Sequence, residues 1–101
     1  MKKSKLKTEA SHVEDMVVEV ANVLKLSFDD VLSRRQSKRI AEGRFTLFRL
    51  MQHRLRMSLN EIGNALDKHH TTVLSGLRRF NTMLNEPAFK AIIQKHWPEI
   101  L

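Results

Sequence analysis

The run Ser58-Leu59-Asn60-Glu61-Ile62-Gly63-Asn64-Ala65-Leu66-Asp67-Lys68-His69-His70-Thr71-Thr72-Val73-Leu74 reads as two short helices joined by a polar turn. Ser58 and Glu61 form an S-x-x-E capping box, in which the Ser oxygen takes an orphan backbone N–H and the Glu side chain reaches back to the N–H of the cap residue. A helix therefore starts near Leu59. Its buried side is expected at Leu59, Ile62, Ala65 and Leu66, with Gly63 a place where a neighbouring helix can come close. The turn follows at 67–69. A second helix opens with His70, Thr71 and Thr72, and its apolar residues Val73, Leu74, Leu77 and Phe80 return at spacings of three and four. One face is core and the other is left free. This is the layout of a helix-turn-helix over 58–84, in which the first residues of the second helix meet base edges in the major groove. Hydroxyls, an imidazole and a Lys are the chemistry suited to those edges. Arg78 and Arg79, two turns on, suit phosphates.

The chain around this motif is small and basic. A length of 101 residues predicts one helical domain with room for a core but none for a separate catalytic lobe. Eighteen Lys and Arg against 11 Asp and Glu give a formal charge of +7, and the pI near 10.3 points to a polyanionic partner, nucleic acid first. No apolar run approaches the roughly 20 residues needed to span a bilayer. Met1-Lys2-Lys3-Ser4-Lys5-Leu6-Lys7 has no apolar stretch behind it, so no export signal and no membrane partner are expected, and the expected location is cytoplasmic. The absence of cysteine removes disulfides, thiolate nucleophiles and Cys-based zinc sites.

Outward from the motif, the pattern stays helical and predicts an all-α fold. Residues 1–10 are Lys-rich and aperiodic, which suggests a flexible basic arm ahead of a single domain at 11–101. Val13, Met16, Val17, Val20, Ala21, Val23 and Leu24 predict a helix over 12–25, with Ser11 as cap and Glu14 and Asp15 in the first turn. Ser27 caps a short turn of helix at 28–32, where Phe28, Val31 and Leu32 look buried. Ser33-Arg34-Arg35-Gln36-Ser37-Lys38-Arg39 carries four positive charges in seven residues and no large apolar group, the signature of an exposed basic loop. Phe45, Leu47, Phe48, Leu50, Met51 and Leu55 mark a long central helix starting near Glu42 or Gly43 and running to about 56. Glu86-Pro87 opens a last helix, which carries Phe89, Ile92, Ile93 and Trp97 and stops before Pro98.

Taken together, Ser-Leu-x-Glu-Ile-Gly at 58–63, the basic Lys68 and His-Thr-Thr-Val at 70–73 resemble the C-terminal DNA-binding domain, domain IV, of the bacterial replication initiator DnaA. Val31-Leu32-Ser33-Arg34-Arg35 is similar to that family's basic loop, and the resemblance spans about 12–96. It implies a fold related to the Trp repressor that reads double-stranded DNA, with the second helix of the motif in the major groove and the basic loop in the adjacent minor groove. Residue by residue, it places base readers at Lys68, His69, His70, Thr71 and Thr72, and phosphate contacts at Arg34, Arg35, Lys38, Arg44 and the start of the 58–66 helix. Two positions depart. The family usually has Gly-Gly-Arg-Asp-His before the threonines, whereas the turn here is one residue shorter and places His69 where an acidic reader stands. The family's minor-groove Arg falls on Gln36, which can still read that groove without the charge a narrow A·T-rich groove attracts. These changes imply a related but altered target sequence. The initiator's ATP chemistry resides in a separate domain, and Gly43, Gly63 and Gly76 cannot form a G-x-x-x-x-G-K-S/T phosphate loop.

Other readings of the same residues are weaker. His69 and His70 with His53 or His12 suggest a metal, but neighbours at a helix start point apart and no carboxylate or thiolate completes a ligand spacing. Asp29, Asp30, Glu61 and Asp67 are scattered as caps and solvated groups, so no catalytic residues, cofactor, metal or small-molecule substrate are expected. The competing function is a protein-interaction module, a regulator or decoy that keeps the fold without specific DNA binding, with replication or transcription proteins as partners. Such a module would trade its cations for apolar groups, and this chain keeps Arg34, Arg35, Lys38, Arg39, Lys68, Arg78 and Arg79. An RNA binder is disfavoured because no stacking surface is visible. Trp97 reads as a helix lock. The oligomeric state stays open.

Overall fold

The computed structural model describes residues 9–101, with side chains from Ser11 onward. Among the described residues the chain forms six helices and no strand: α1 (Glu9–Leu24), α2 (Phe28–Leu32), α3 (Lys38–Arg54), α4 (Leu59–Leu66), α5 (His70–Met83) and α6 (Pro87–His96), followed by a 3-10 turn at Pro98–Ile100. Most of the expected basic arm lies outside the described residues, and Glu9 and Ala10 already belong to α1. Ser11 is therefore inside that helix rather than capping it. No helix among the described residues is long and apolar enough to cross a membrane.

The central α3 holds the molecule together. Leu47, Phe48, Leu50 and Met51 on it are fully buried, and the core around them collects Val17, Val20 and Leu24 of α1, Ile62 of α4, Val73 and Phe80 of α5, and Phe89 and Ile93 of α6. The α3 helix starts four to five residues earlier than the sequence suggests. Ser37 accepts the Ile40 N–H and caps it, so Lys38 and Arg39 sit on the first turn and the basic loop contracts to 33–37. Gly43 lies within the helix instead of opening it.

Local signals fixed most other boundaries. Ser27 with Asp30, and Ser58 with Glu61, each form a complete capping box, satisfying donors that a helix start would otherwise orphan. Three helices end in the left-handed region without glycine, at Lys25, Arg56 and Asp67. After α1 and α4 the next residue closes the turn, Leu26 N–H to the Ala21 carbonyl at 2.9 Å and Lys68 N–H to the Gly63 carbonyl at 2.7 Å, the six-to-one bond of a Schellman ending.

Two expected core positions are not core. Phe28 is 39% exposed and Ala65 is exposed, because α2 is a single turn that leaves an apolar groove open between α1, α2 and α4, bounded by Val13, Val17, Phe28, Leu32, Ala65 and Leu66. The C-terminus is anchored by polar contacts as well as packing. Trp97 is fully buried and its indole N–H donates to Glu19 at 2.5 Å. The Arg54 guanidinium grips both oxygens of Glu19, at 2.9 and 3.1 Å, and reaches Glu99 at 3.3 Å. One polar cluster thus joins α1, α3 and the last turn.

Candidate nucleic-acid interface

The α4–α5 turn is built from two residues that face each other. Gly63 has no room for a side chain, since a Cβ would fall on the Lys68 carbonyl oxygen and within 3.4 Å of the His70 nitrogen. The close approach is therefore that of the turn's own backbone, not of a neighbouring helix as the sequence suggests. With Asp67 at φ 56°, the chain reverses in three residues and delivers His69 to the cap of α5. The His69 Nδ1 accepts the Thr71 N–H at 3.2 Å, which takes the place of the Ser, Thr or Asp usual at a cap.

The helix that follows keeps its apolar stripe on α3. Val73, Gly76, Leu77 and Phe80 are buried, and at Gly76 a Cβ would meet the Phe48 ring at 2.6 Å and the Phe45 ring at 2.8 Å. This contact lets α5 lie against α3 with Thr71, Thr72, Ser75, Arg78, Arg79 and Thr82 turned outward and exposed. No group of three His, Asp or Glu among the described residues could hold a metal ion.

Beside the start of α5 stands the basic loop, and Arg44 ties it down. Its Nη1 donates to the Ser33 carbonyl at 3.0 Å and the Arg35 carbonyl at 3.1 Å, with the guanidinium 5.0 Å from the centre of the Phe45 ring. Arg79 lies over the same ring at 5.7 Å. Burial, then the charge of Arg79, lowers the Arg44 pKa, although a guanidinium stays charged at any physiological pH. The resemblance implies a phosphate contact at Arg44, and the structure places it buried, with Nη1 engaged by loop carbonyls.

The clamp brings loop and turn together. Arg34 and Gln36 from the loop, Arg44 from α3, Asp67, Lys68 and His69 from the turn, and Thr72 from α5 line one polar crevice. A second hollow continues it along α5 past Gln36, Thr71, Thr72, Ser75 and Arg79. Lys68 is half-buried there, and desolvation, helped by the nearby charges of Arg44 and Arg34, lowers its pKa below the usual lysine value. Asp67, which also lines the crevice, opposes that shift only in part, and an anion entering the crevice would add to its counter-charge.

Eight of the ten sequence-predicted residues meet on this surface. Arg34, Gln36, Arg44, Lys68, His69 and Thr72 share the crevice, Thr71 lines the adjoining hollow, and His70 is exposed with its ring 4.4 Å from that of His69. Arg35 is on the rim of the loop, 75% exposed in its side chain and 3.8 Å from Asp30. Lys38 stands apart, 2.8 Å from Glu86 on the side facing α6, and that hydrogen bond raises its pKa. Two further groups were not singled out. Ser75 follows Thr71 by four and Thr72 by three, a helical spacing that was available. On the other flank of α5, Arg49 and Gln52 line a concave patch with Leu74, Arg78 and Asn81, and only folding brings α3 there.

No solved structure matches this chain. The bacterial DnaA protein helix-turn-helix family matches residues 13–79, a stretch that contains the basic loop, the clamp, α4, the first ten residues of α5 and the whole crevice. With about two thirds of its length matched, the chain belongs to the bacterial DnaA helix-turn-helix family, a family of DNA-binding domains.

Proposed function

We propose that this protein is a site-specific reader of double-stranded DNA, a binding protein without catalysis, that acts in the cytoplasm on replication initiation or its regulation, or on transcription. The α5 helix enters the major groove and the 33–37 loop enters the adjacent minor groove. The observation that carries this reading is the crevice in which Arg34 and Gln36 of the loop face Lys68, His69 and Thr72 of the turn and α5. A duplex presents a base edge and a phosphate strand side by side, and this arrangement offers hydroxyl, imidazole and amide groups for the first and cations for the second.

The target is related to, and different from, the site of the initiator. His69 and Gln36 stand where the resemblance puts an acidic reader and an arginine, and each good base contact is worth about 1–3 kcal/mol of discrimination. Losing two should weaken binding to a standard initiator box by a factor of about thirty to about twenty thousand, unless His69 makes a replacement contact. The test is selection of bound duplexes from a random library, followed by competition of the best sequence against the standard box. The selected sequence should win. Equal or tighter binding to the standard box would overturn altered specificity, and failure to enrich any duplex would favour the interaction module over a DNA reader.

A further inference from the structure

The imidazole of His69 is committed on one side and open on the other. Its Nδ1 receives the Thr71 backbone N–H at 3.2 Å and lies 2.7 Å from the Thr71 hydroxyl. An amide N–H can only donate, so Nδ1 holds a lone pair, and the hydroxyl, which can act either way, turns its proton toward the same nitrogen. A neutral imidazole with a bare Nδ1 carries its proton on Nε2. Among the described residues Nε2 has no hydrogen-bond partner. The ring is exposed, faces the crevice with Arg34, Gln36, Lys68 and Thr72, and rests against the His70 ring at 4.4 Å and 32°. That neighbour and the cap together oppose the ring flip that would exchange the two nitrogens.

Here we propose, resting on the DNA reading above, that His69 is a specificity-determining residue. Its cap locks the tautomer, so it presents one fixed N–H donor to the major-groove edge and selects against cytosine in favour of a base with an acceptor there, guanine with its two acceptors first. Guanine offers N7 and O6 on that edge. Cytosine offers the N4 amino group, which would set donor against donor. The first residues of the second helix of a helix-turn-helix are the ones that reach base edges, and His69 is both the cap of that helix and the end of the turn. The same bond that starts the helix therefore sets the polarity of the reader.

The His69→Asp variant separates the two roles. Asp is a favoured cap and keeps α5 started, yet its second oxygen accepts where Nε2–H donated. In parallel library selections the natural protein should prefer guanine over cytosine at one position by about tenfold, and His69→Asp should invert that preference there and leave other positions unchanged. Nitrogen NMR of the DNA-free protein should show a pyridine-type Nδ1 and a pyrrole-type Nε2. Identical base preferences in both proteins, or a protonated Nδ1 in the neutral ring, would overturn the assignment while the DNA function stands. If neither protein enriches any duplex, the DNA reading itself falls and takes this inference with it.

Discussion

Thr72 and Arg35 illustrate how single residues divide the work on such a surface. Thr72 is exposed at the first turn of α5 and lines both hollows, where the proposed reading puts base edges, whereas the Arg35 side chain projects from the loop rim with a 3.8 Å contact to Asp30. Thr72→Ala should cost on the order of 1–3 kcal/mol on the preferred duplex and little on others, while Arg35→Ala should weaken all duplexes alike. Equal losses on every sequence for both variants would remove the base-reading role of Thr72. Gly63 is the second decisive residue, since its missing side chain makes way for the Lys68 carbonyl. Gly63→Ala should cost about 1–3 kcal/mol in a denaturant titration, and it should lower DNA affinity further because the turn that aims His69 must move. The sequence carried part of this. Glycine at 63 is visible as a close approach, but what approaches is fixed only when the turn folds back.

At the scale of elements, the polar cluster of Glu19, Arg54, Trp97 and Glu99 couples α1, α3 and the C-terminus. The hydrogen bonds from Arg54 foremost, opposed by some burial and aided by Trp97, hold the Glu19 pKa below its usual 4.5. A depressed carboxylate pKa contributes stability that is fully present above the unfolded value and is lost as pH falls through the folded one. Glu19→Gln should therefore destabilise the protein at pH 7 by about 1 kcal/mol, a figure discounted for the partial exposure of the pair. The gap should narrow as pH falls below 4.5 and close once the lowered pKa of Glu19 is passed. Denaturant melts at neutral and acid pH check it, and a gap that persists in acid would show that packing rather than charge holds the cluster. Glu42 behaves in the opposite sense. Burial raises its pKa, partly offset by Arg39 at 3.7 Å, so its charge is a burden at neutral pH. Neither property was legible in the sequence, where Glu19 and Glu42 look like two ordinary helix carboxylates; the direction for Glu19 comes from a partner 35 residues away and that for Glu42 from its depth in the fold.

For the molecule as a whole, the formal charge of +7 is gathered in part around the crevice, where Arg34, Arg44 and Lys68 lie within one hollow and Arg79 borders the next. A surface that neutralises about six phosphates should lose affinity with a slope of log K against log salt near −5. Binding isotherms between low and physiological salt measure that slope directly. A flat response would mean that the charge is not what meets the ligand.

The sequence by itself determined the helices, their caps and the motif. Capping boxes at Ser27 and Ser58, Pro87 at the first helical position, and apolar spacing of three and four are local codes, written within a few residues of the structure they specify. Local codes also misled where two of them competed. Ser37 started α3 ahead of Gly43 because a capping side chain outweighed the glycine signal, and α2 proved too short to cover Phe28. Only the tertiary structure decided what the cations do. Arg34, Lys38 and Arg44 are alike in charge, yet Arg34 is exposed and lines the crevice, Lys38 is tied to Glu86, and Arg44 is buried at the crevice floor against carbonyls of the 33–37 loop. The reason is physical. A helix boundary depends on backbone groups a few residues away, whereas the role of a charge depends on which partners and how much solvent the fold leaves beside it, and those come from distant parts of the chain.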